Sequence, residues 1–269
     1  MQKEMTDNHL EELRQAMLTL ENPGIAAKIT NFIGMPIQKA LDLLPKNWNE
    51  KVGDITRTAL IKASDAAIFT MKDKPGGKAS NVLHKVGVAV SGGVGGFFGF
   101  AALAVELPVS TTIMLRSIAD IARSQGESIA DAETKLACLE VFALGGTSIE
   151  DDHSESGYYA VRLSLVTSVS EVVGYVTRTL SDKGSPAFVR FIASIAQRFG
   201  LQISEKVAAQ AIPAIGAAGG ALINTIFINH FQEMARGHFT VRRLERIYGK
   251  EAVKTTYESF FKANIQIKK

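Results

Sequence analysis

The stretch Val86–Val105, VGVAVSGGVGGFFGFAALAV, is twenty residues long and carries no charge. It is long enough to cross a bilayer as a helix, but glycine and alanine outnumber leucine and isoleucine in it. Each internal glycine costs a helix about 1 kcal/mol relative to alanine, so such a cluster favours close helix packing. Gly92/Gly96 and Gly95/Gly99 form two overlapping GxxxG patterns, which are typical of such packing.

A second uncharged stretch, Val207–Gln232, has the same character. It is 26 residues long when its histidine is neutral, and it carries a further GxxxG pattern at Gly216/Gly220. Pro213 is expected to kink it. Residues 86–105 and 207–228 are therefore either bilayer segments or the central helices of a bundle.

Polar residues inside the second stretch, among them Gln210 and Asn224, favour a packed core over a span. We therefore expect both stretches to form a soluble bundle core that contacts a membrane reversibly. True insertion and a protein without membrane contact are the two alternatives.

Most of the remaining chain shows the three- and four-residue apolar spacing of amphipathic helices. The predicted helices are Asp7–Leu20, Ile25–Leu44, Asn49–Met71, Leu107–Ser124, Ser128–Leu144, Tyr158–Leu180, Pro186–Phe199, Val241–Ile247 and Glu251–Ile265. A short strand is an alternative near Val161–Leu165, where apolar and polar residues alternate. The predicted fold is an all-α, multi-helix bundle with two central glycine-rich helices. Amphipathic helices in residues 1–80 are expected to pack on a core formed by residues 81–269, as one structural domain.

Composition limits the class of protein. With 46% hydrophobic residues in 269, the chain can bury a sizeable core. A single cysteine, Cys138, forms neither an intramolecular disulfide nor a thiolate cluster, which favours a reducing, cytoplasmic location. The net charge of +3 is too small to indicate nucleic acid as a partner, and the basic residues lack interleaved aromatics.

The charge is unevenly distributed. Residues 127–155 carry eight acids and one lysine, whereas residues 236–269 carry nine basic residues and three acids. A basic helical end can bind anionic lipid on the inner face of the cell membrane. The candidate contact residues are Arg242, Arg243, Arg246, Lys250 and Lys254. The alternative is an ordinary solvated helix face.

Some polar residues lie in apolar surroundings and are candidates for a site inside the bundle: Glu106, Arg116, Asp120, Glu140, Asn224, His230 and Glu233. Arg116 and Asp120 are four residues apart, which allows an ion pair on one helix face. Glu140 is predicted to be buried, with Arg116 as its nearest partner by residue type. A structural ion-pair network is the main interpretation, and a binding site for a lipid head group, metal or substrate is the alternative.

His230 and Glu233 are three residues apart and could join Glu106 and Glu140 in a metal site between helices, although their order is the reverse of the Glu-x-x-His motif of di-iron bundles. A buried core histidine is the alternative. No cofactor is predicted.

The segment ELPVSTTIMLRSIADIA, Glu106–Ala122, resembles the EcsC protein family. LACLEVFALGG, Leu136–Gly146, and the late segments GGALIN and ARGHF strengthen the resemblance, which extends over about Val86–Arg246. It implies no defined reaction. Relatives are sometimes labelled staphylolytic-protease-like, but zinc peptidases of that type need a His-x-His element, which this sequence lacks.

These observations together lead to one functional expectation and one alternative. We expect a non-enzymatic protein that associates peripherally with membrane lipid or a membrane protein. The alternative is a metal-dependent, hydrolase-like enzyme with a carboxylate and histidine site between helices.

Overall fold

A computed structural model describes residues 4–21, 24–68, 99–146, 156–176, 186–212 and 216–268. All regular elements in these ranges are helices, which confirms the all-α prediction. Most of the first glycine-rich stretch, residues 86–98, lies outside the described residues, as does Pro213.

The described chain forms ten α-helices. They are α1 (Asp7–Leu20), α2 (Ile25–Ile33), α3 (Ile37–Leu41), α4 (Trp48–Ala63), α5 (Gly99–Ser124), α6 (Ala132–Glu140), α7 (Gly157–Val176), α8 (Pro186–Gln210), α9 (Gly216–Tyr248) and α10 (Lys250–Lys268). A short π-helix, Ser64–Ile68, continues α4, and a 3₁₀ turn, Val141–Ala143, continues α6.

Helix α1 has the predicted bounds. The hydroxyl of Thr6 accepts a hydrogen bond from the backbone N–H of His9 and caps the first turn. Leu13, Met17 and Leu20 form its buried stripe, which packs on α9 and α10.

The prediction of one helix over Ile25–Leu44 is wrong. The chain leaves α2 at Gly34, which adopts a left-handed conformation with φ of 70°, and Pro36 precedes α3. Glycine adopts this conformation without a steric penalty, and proline has no N–H to continue a helix. The apolar periodicity crosses this break without revealing it.

Several other helix bounds differ from the sequence prediction, since α6 begins at Ala132, α8 extends to Gln210 and Val241–Ile247 is part of α9. Pro108 was expected in the first turn of a helix, but it lies inside α5. The uncharged stretch Val207–Gln232 is divided between α8, which ends at Gln210, and α9, which begins at Gly216. The alternative of a strand at Val161–Leu165 is wrong, because these residues are helical in α7.

Helix α9 has 33 residues and packs against α1, α2, α5, α8 and α10. A cluster of four buried rings joins it to α8 and the 3₁₀ turn: Phe142, Phe199, Phe227 and Phe231. Its glycines differ in their surroundings. A Cβ atom at Gly237 would lie 2.8 Å from Cγ of Leu20, whereas one at Gly220 would meet no atom within 4 Å. Among the residues that the structure describes, no close contact is therefore seen at Gly220.

None of the described helices is both long enough and apolar enough to cross a membrane.

Candidate functional site

The beginnings of α5 and α9 lie at the same end of the bundle. Glu106 of α5 contacts Lys206 of α8, which lies over the ring of Phe227 in α9. Further along, the side chain of Gln232 in α9 donates a 2.8 Å hydrogen bond to Ser117 of α5. The two helices therefore run in the same direction.

Exposed apolar residues occur at this end. Val105 is 71% exposed, Val109 is 49% exposed and Leu222 is 52% exposed. The C-terminal end of α8 is there too, because Gln210 Nε2 donates to the backbone oxygen of Gly220, at 3.4 Å. We call Val105, Val109 and Leu222 the apolar end.

The charged groups next to the apolar end are buried and paired. The Nζ atom of Lys206 lies 3.0 Å from Oε1 of Glu106, and the two side chains are 1% and 10% exposed. Glu106 was a predicted core residue, and the structure shows its partner, which sequence analysis missed. Asn224 is fully buried on α9, one turn before Phe227.

The predicted pairing of Arg116 with Asp120 is wrong. Arg116 is exposed and donates to the carbonyl of Ala66, at 3.1 Å. Asp120 forms an ion pair with Arg123, three residues further along α5. Arg116 therefore also does not serve as the partner of Glu140, because it points to the end of the α4 segment.

Glu140 lies in a second polar cluster, formed by α6, α7 and α9. Its Oε2 atom is 3.9 Å from Nε2 of His238, and Nδ1 of His238 shares a 3.0 Å hydrogen bond with the hydroxyl of Tyr158. Burial raises the pKa of Glu140, and the charges of Arg162 and Arg242 only partly offset this effect. Glu140 is thus a buried carboxyl group next to a neutral imidazole.

An ion pair between α7 and α9 closes one side of this cluster. Arg162 donates to both carboxylate oxygens of Glu245, at 2.6 and 3.1 Å, and the hydroxyl of Tyr159 donates to the same carboxylate. The guanidinium carbon of Arg162 also lies 5.4 and 5.5 Å from the ring centres of Tyr158 and Tyr159. This geometry fixes α7 against α9 and holds Tyr158 in place.

A carboxylate from α1 holds the start of α7. Glu21 accepts hydrogen bonds from the backbone N–H groups of Gly157 and Tyr158, at 3.1 and 3.2 Å. It also accepts a 2.9 Å hydrogen bond from the hydroxyl of Tyr257 in α10. These N–H groups begin α7 and have no partner within their own helix, so Glu21 joins α1, α7 and α10 at one point.

His230 and Glu233 do not form a shared site. Glu233 pairs with Lys28 of α2, and the ring of His230 packs on Gly145, where a Cβ atom would lie 2.6 Å from Nε2. Burial, together with the charge of Lys28, lowers the pKa of His230 to about 3. Among the residues that the structure describes, no three His, Cys, Asp or Glu side chains are placed to hold a metal ion.

Arg242 and Arg246, two of the predicted lipid-contact residues, share one carboxylate partner, Glu127. Arg242 pairs with Glu127 at 3.0 Å and with Glu133 at 3.5 Å, and Arg246 also pairs with Glu127. Burial would raise the pKa of Glu127, but the hydrogen bond and charge of Arg242 lower it. Residues of the acidic segment 127–155 and of the basic segment 236–269 thus form ion pairs here. The opposite charges of the two segments are the feature of the sequence that could have indicated this contact.

The other three basic candidates differ from one another. Arg243 pairs with Glu12 of α1. Lys254 lies over the ring of Tyr159, with 5.7 Å between Nζ and the ring centre, and Lys250 is exposed at the start of α10. All five basic candidates lie toward the C-terminal end of α9 or on α10, away from the apolar end. Leu222 and Arg246 are 24 residues apart on one helix, a separation of about 36 Å.

The EcsC protein family has a sequence model that matches residues 2–244. Comparison with curated proteins and with solved structures gave no match. Since the matched region covers nearly the whole chain, the protein belongs to the EcsC protein family.

Proposed function

We propose that this protein associates peripherally with a membrane and that the apolar end is its contact surface. The observation that carries the proposal is that Val105 and Leu222 are exposed in the first parts of α5 and α9, at the end of the bundle where Lys206 joins the two helices. Burial of exposed apolar side chains in the outer part of a bilayer favours such binding.

The ion pairs of the described basic residues support contact with apolar lipid more than with anionic head groups. Lys206 is neutralised by Glu106 inside the bundle. Arg242, Arg243 and Arg246 are engaged by carboxylates of the same chain. We therefore propose that binding depends weakly on salt, and that Lys250 and Lys254 make at most a second, electrostatic contribution.

Flotation of the full chain with lipid vesicles tests this proposal. Vesicles of neutral phosphatidylcholine, and of phosphatidylcholine with anionic phosphatidylglycerol, are compared at low and high salt. We expect binding to both vesicles and at both salt concentrations. Replacing Val105 and Leu222 together by glutamine is expected to weaken binding about tenfold or more, since burial of each side chain is worth up to about 2 kcal/mol.

The matched control is Leu163→Gln. Leu163 is an apolar residue on α7 that is 63% exposed but does not belong to the apolar end. We expect this variant to bind like the wild type. Equal binding of the Val105/Leu222 variant and the wild type would contradict the apolar end as the contact surface. Binding that disappears at high salt, or in a Lys250→Gln/Lys254→Gln variant, would instead assign the contact to α10.

A further inference from the structure

Helix α9 carries two histidines that are almost completely buried. His230 is 1% exposed and His238 is 0% exposed. They are eight residues apart, which separates them by about 12 Å along the helix. Both side chains point into the bundle, toward different neighbours, and neither takes part in the apolar end.

His230 is held against the backbone of the segment that follows α6. Its ring lies so close to Gly145 that a Cβ atom there would overlap with it. The backbone of Leu144 lies near enough to the ring of His230 to favour its protonated form. Neither ring nitrogen, however, has a hydrogen bond of normal geometry within the described part of the chain. The charged groups that face it are Lys28 from α2 and its ion-pair partner Glu233 from α9 itself.

His238 has more polar neighbours, and burial and the positive charges among these neighbours disfavour a protonated ring. Tyr158 of α7 shares a hydrogen bond with Nδ1, and Glu140 of α6 lies 3.9 Å from Nε2. Arg162 of α7 and Arg242 of α9 place two positive charges nearby. Burial and these two guanidinium groups lower the pKa of His238 well below 6.5.

An added proton on either ring would therefore be a buried charge without adequate compensation. Burial of a charge without a partner is strongly unfavourable. When α9 separates from its neighbours, water solvates the rings, and each then titrates near its ordinary pKa of about 6.5. Protons consequently bind to the open form in preference to the closed form.

We propose that mild acid opens the packing of α9 against Gly145 and Tyr158 through protonation of His230 and His238. The closed bundle persists at neutral pH, where both rings are uncharged. Below about pH 6.5 the open form binds up to two more protons than the closed form, so its population rises. Glu21, Glu140 and Glu205 oppose this change, because burial raises the pKa of each in the closed form.

Hydrogen exchange of the full chain, without lipid, tests this inference independently of membrane binding. Protection of the α9 and α7 amides is measured at pH 7.5 and 5.5 and corrected for the intrinsic exchange rate. The wild type is compared with a His230→Gln/His238→Gln variant. We expect the wild type to lose about 10- to 100-fold more protection than the variant over this interval, since each histidine contributes up to about tenfold for the one pH unit below 6.5.

The control is His9→Gln, because His9 is a half-buried histidine of α1 that bonds to Tyr248 and does not contact Gly145 or Tyr158 in the described contacts. It should keep the pH dependence of the wild type. The same pH dependence in the wild type and in the double variant would overturn the inference. If the double variant does not fold, the titration of His230 and His238 in the wild type, followed by proton NMR, tests the inference instead. Titration of either buried ring near pH 6.5 with α9 still protected would contradict the inference, whereas loss of protection together with titration would support it.

Discussion

Glu106 of α5 and Lys206 of α8 form an ion pair inside the bundle, with 3.0 Å between Oε1 and Nζ. The pair joins the beginning of α5 to the end of α8, beside the ring of Phe227. Loss of one partner leaves a buried charge uncompensated. Glu106→Gln and Lys206→Met should therefore each lower the free energy of unfolding by about 3–5 kcal/mol.

The double variant Glu106→Gln/Lys206→Met should be more stable than either single variant, because neither charge remains. Urea unfolding followed by the fluorescence of Trp48, the sole tryptophan, measures all four proteins. Losses that simply add in the double variant would show that the two residues act independently and would contradict the pairing.

Glu21→Ala tests the junction of α1, α7 and α10. The substitution leaves two N–H groups and the hydroxyl of Tyr257 without their acceptor. We expect the free energy of unfolding to fall by about 2 kcal/mol. Glu11→Ala is the control, since Glu11 lies on the exposed face of the same helix and pairs only locally, with Arg14 and Gln15. A similar loss in both variants would argue against a special role for Glu21.

Two glycines of α9 form a matched pair of tests. In Gly237→Ala the new methyl group would lie 2.8 Å from Cγ of Leu20, and overpacking of this kind costs about 1–3 kcal/mol. In Gly220→Ala the methyl group meets no atom of the described residues within 4 Å, so the higher helix propensity of alanine should stabilise the protein by up to about 1 kcal/mol. The two substitutions should therefore shift the urea midpoint in opposite directions. Equal shifts would contradict the close approach at Gly237.

The partly buried carboxyl group of Glu205 should give the free energy of unfolding a specific pH dependence. Burial raises its pKa to about 7 in the folded protein, whereas the unfolded chain has the ordinary value near 4.5. The folded state therefore binds the proton more tightly, and this stabilisation is lost as the pH rises through 7. Glu205→Gln should be more stable than the wild type at pH 8, and the difference should shrink toward pH 5. Urea midpoints at the two pH values measure it, and a difference that is the same at both would contradict the raised pKa.

Helical periodicity correctly predicted the all-α class and the bounds of α1, but it missed local breaks. At Gly34 the apolar stripe continues although the helix ends. The opposite error occurred at Pro108, where a helix was predicted to begin although the observed helix continues through it. Periodicity reports which face is buried, whereas helix ends depend on single backbone conformations that periodicity does not contain.

Only one residue of each buried polar pair could be predicted from the sequence. Glu106 and Glu140 could be selected because a charge within apolar sequence implies burial. Their partners could not, since Lys206 and His238 are about 100 residues away in the chain. Arg116 was chosen as a partner by residue type alone, and the helix direction turns it outward. The opposite charges of residues 127–155 and 236–269 are consistent with the ion pair of Glu127 and Arg242. The sequence alone does not predict this pair, because it depends on how α9 packs.

The contacts of α1 also determine the order in which the protein can be completed during synthesis. Glu12, His9 and Glu21 reach partners that are 231 to 239 residues later in the chain. A ribosome that adds about 5–20 residues per second needs roughly 10–50 seconds to deliver those partners. Until then the apolar stripe of the first helix has nothing to cover it. The nascent chain thus carries an uncovered apolar stripe on α1 for this interval, and such a surface favours aggregation.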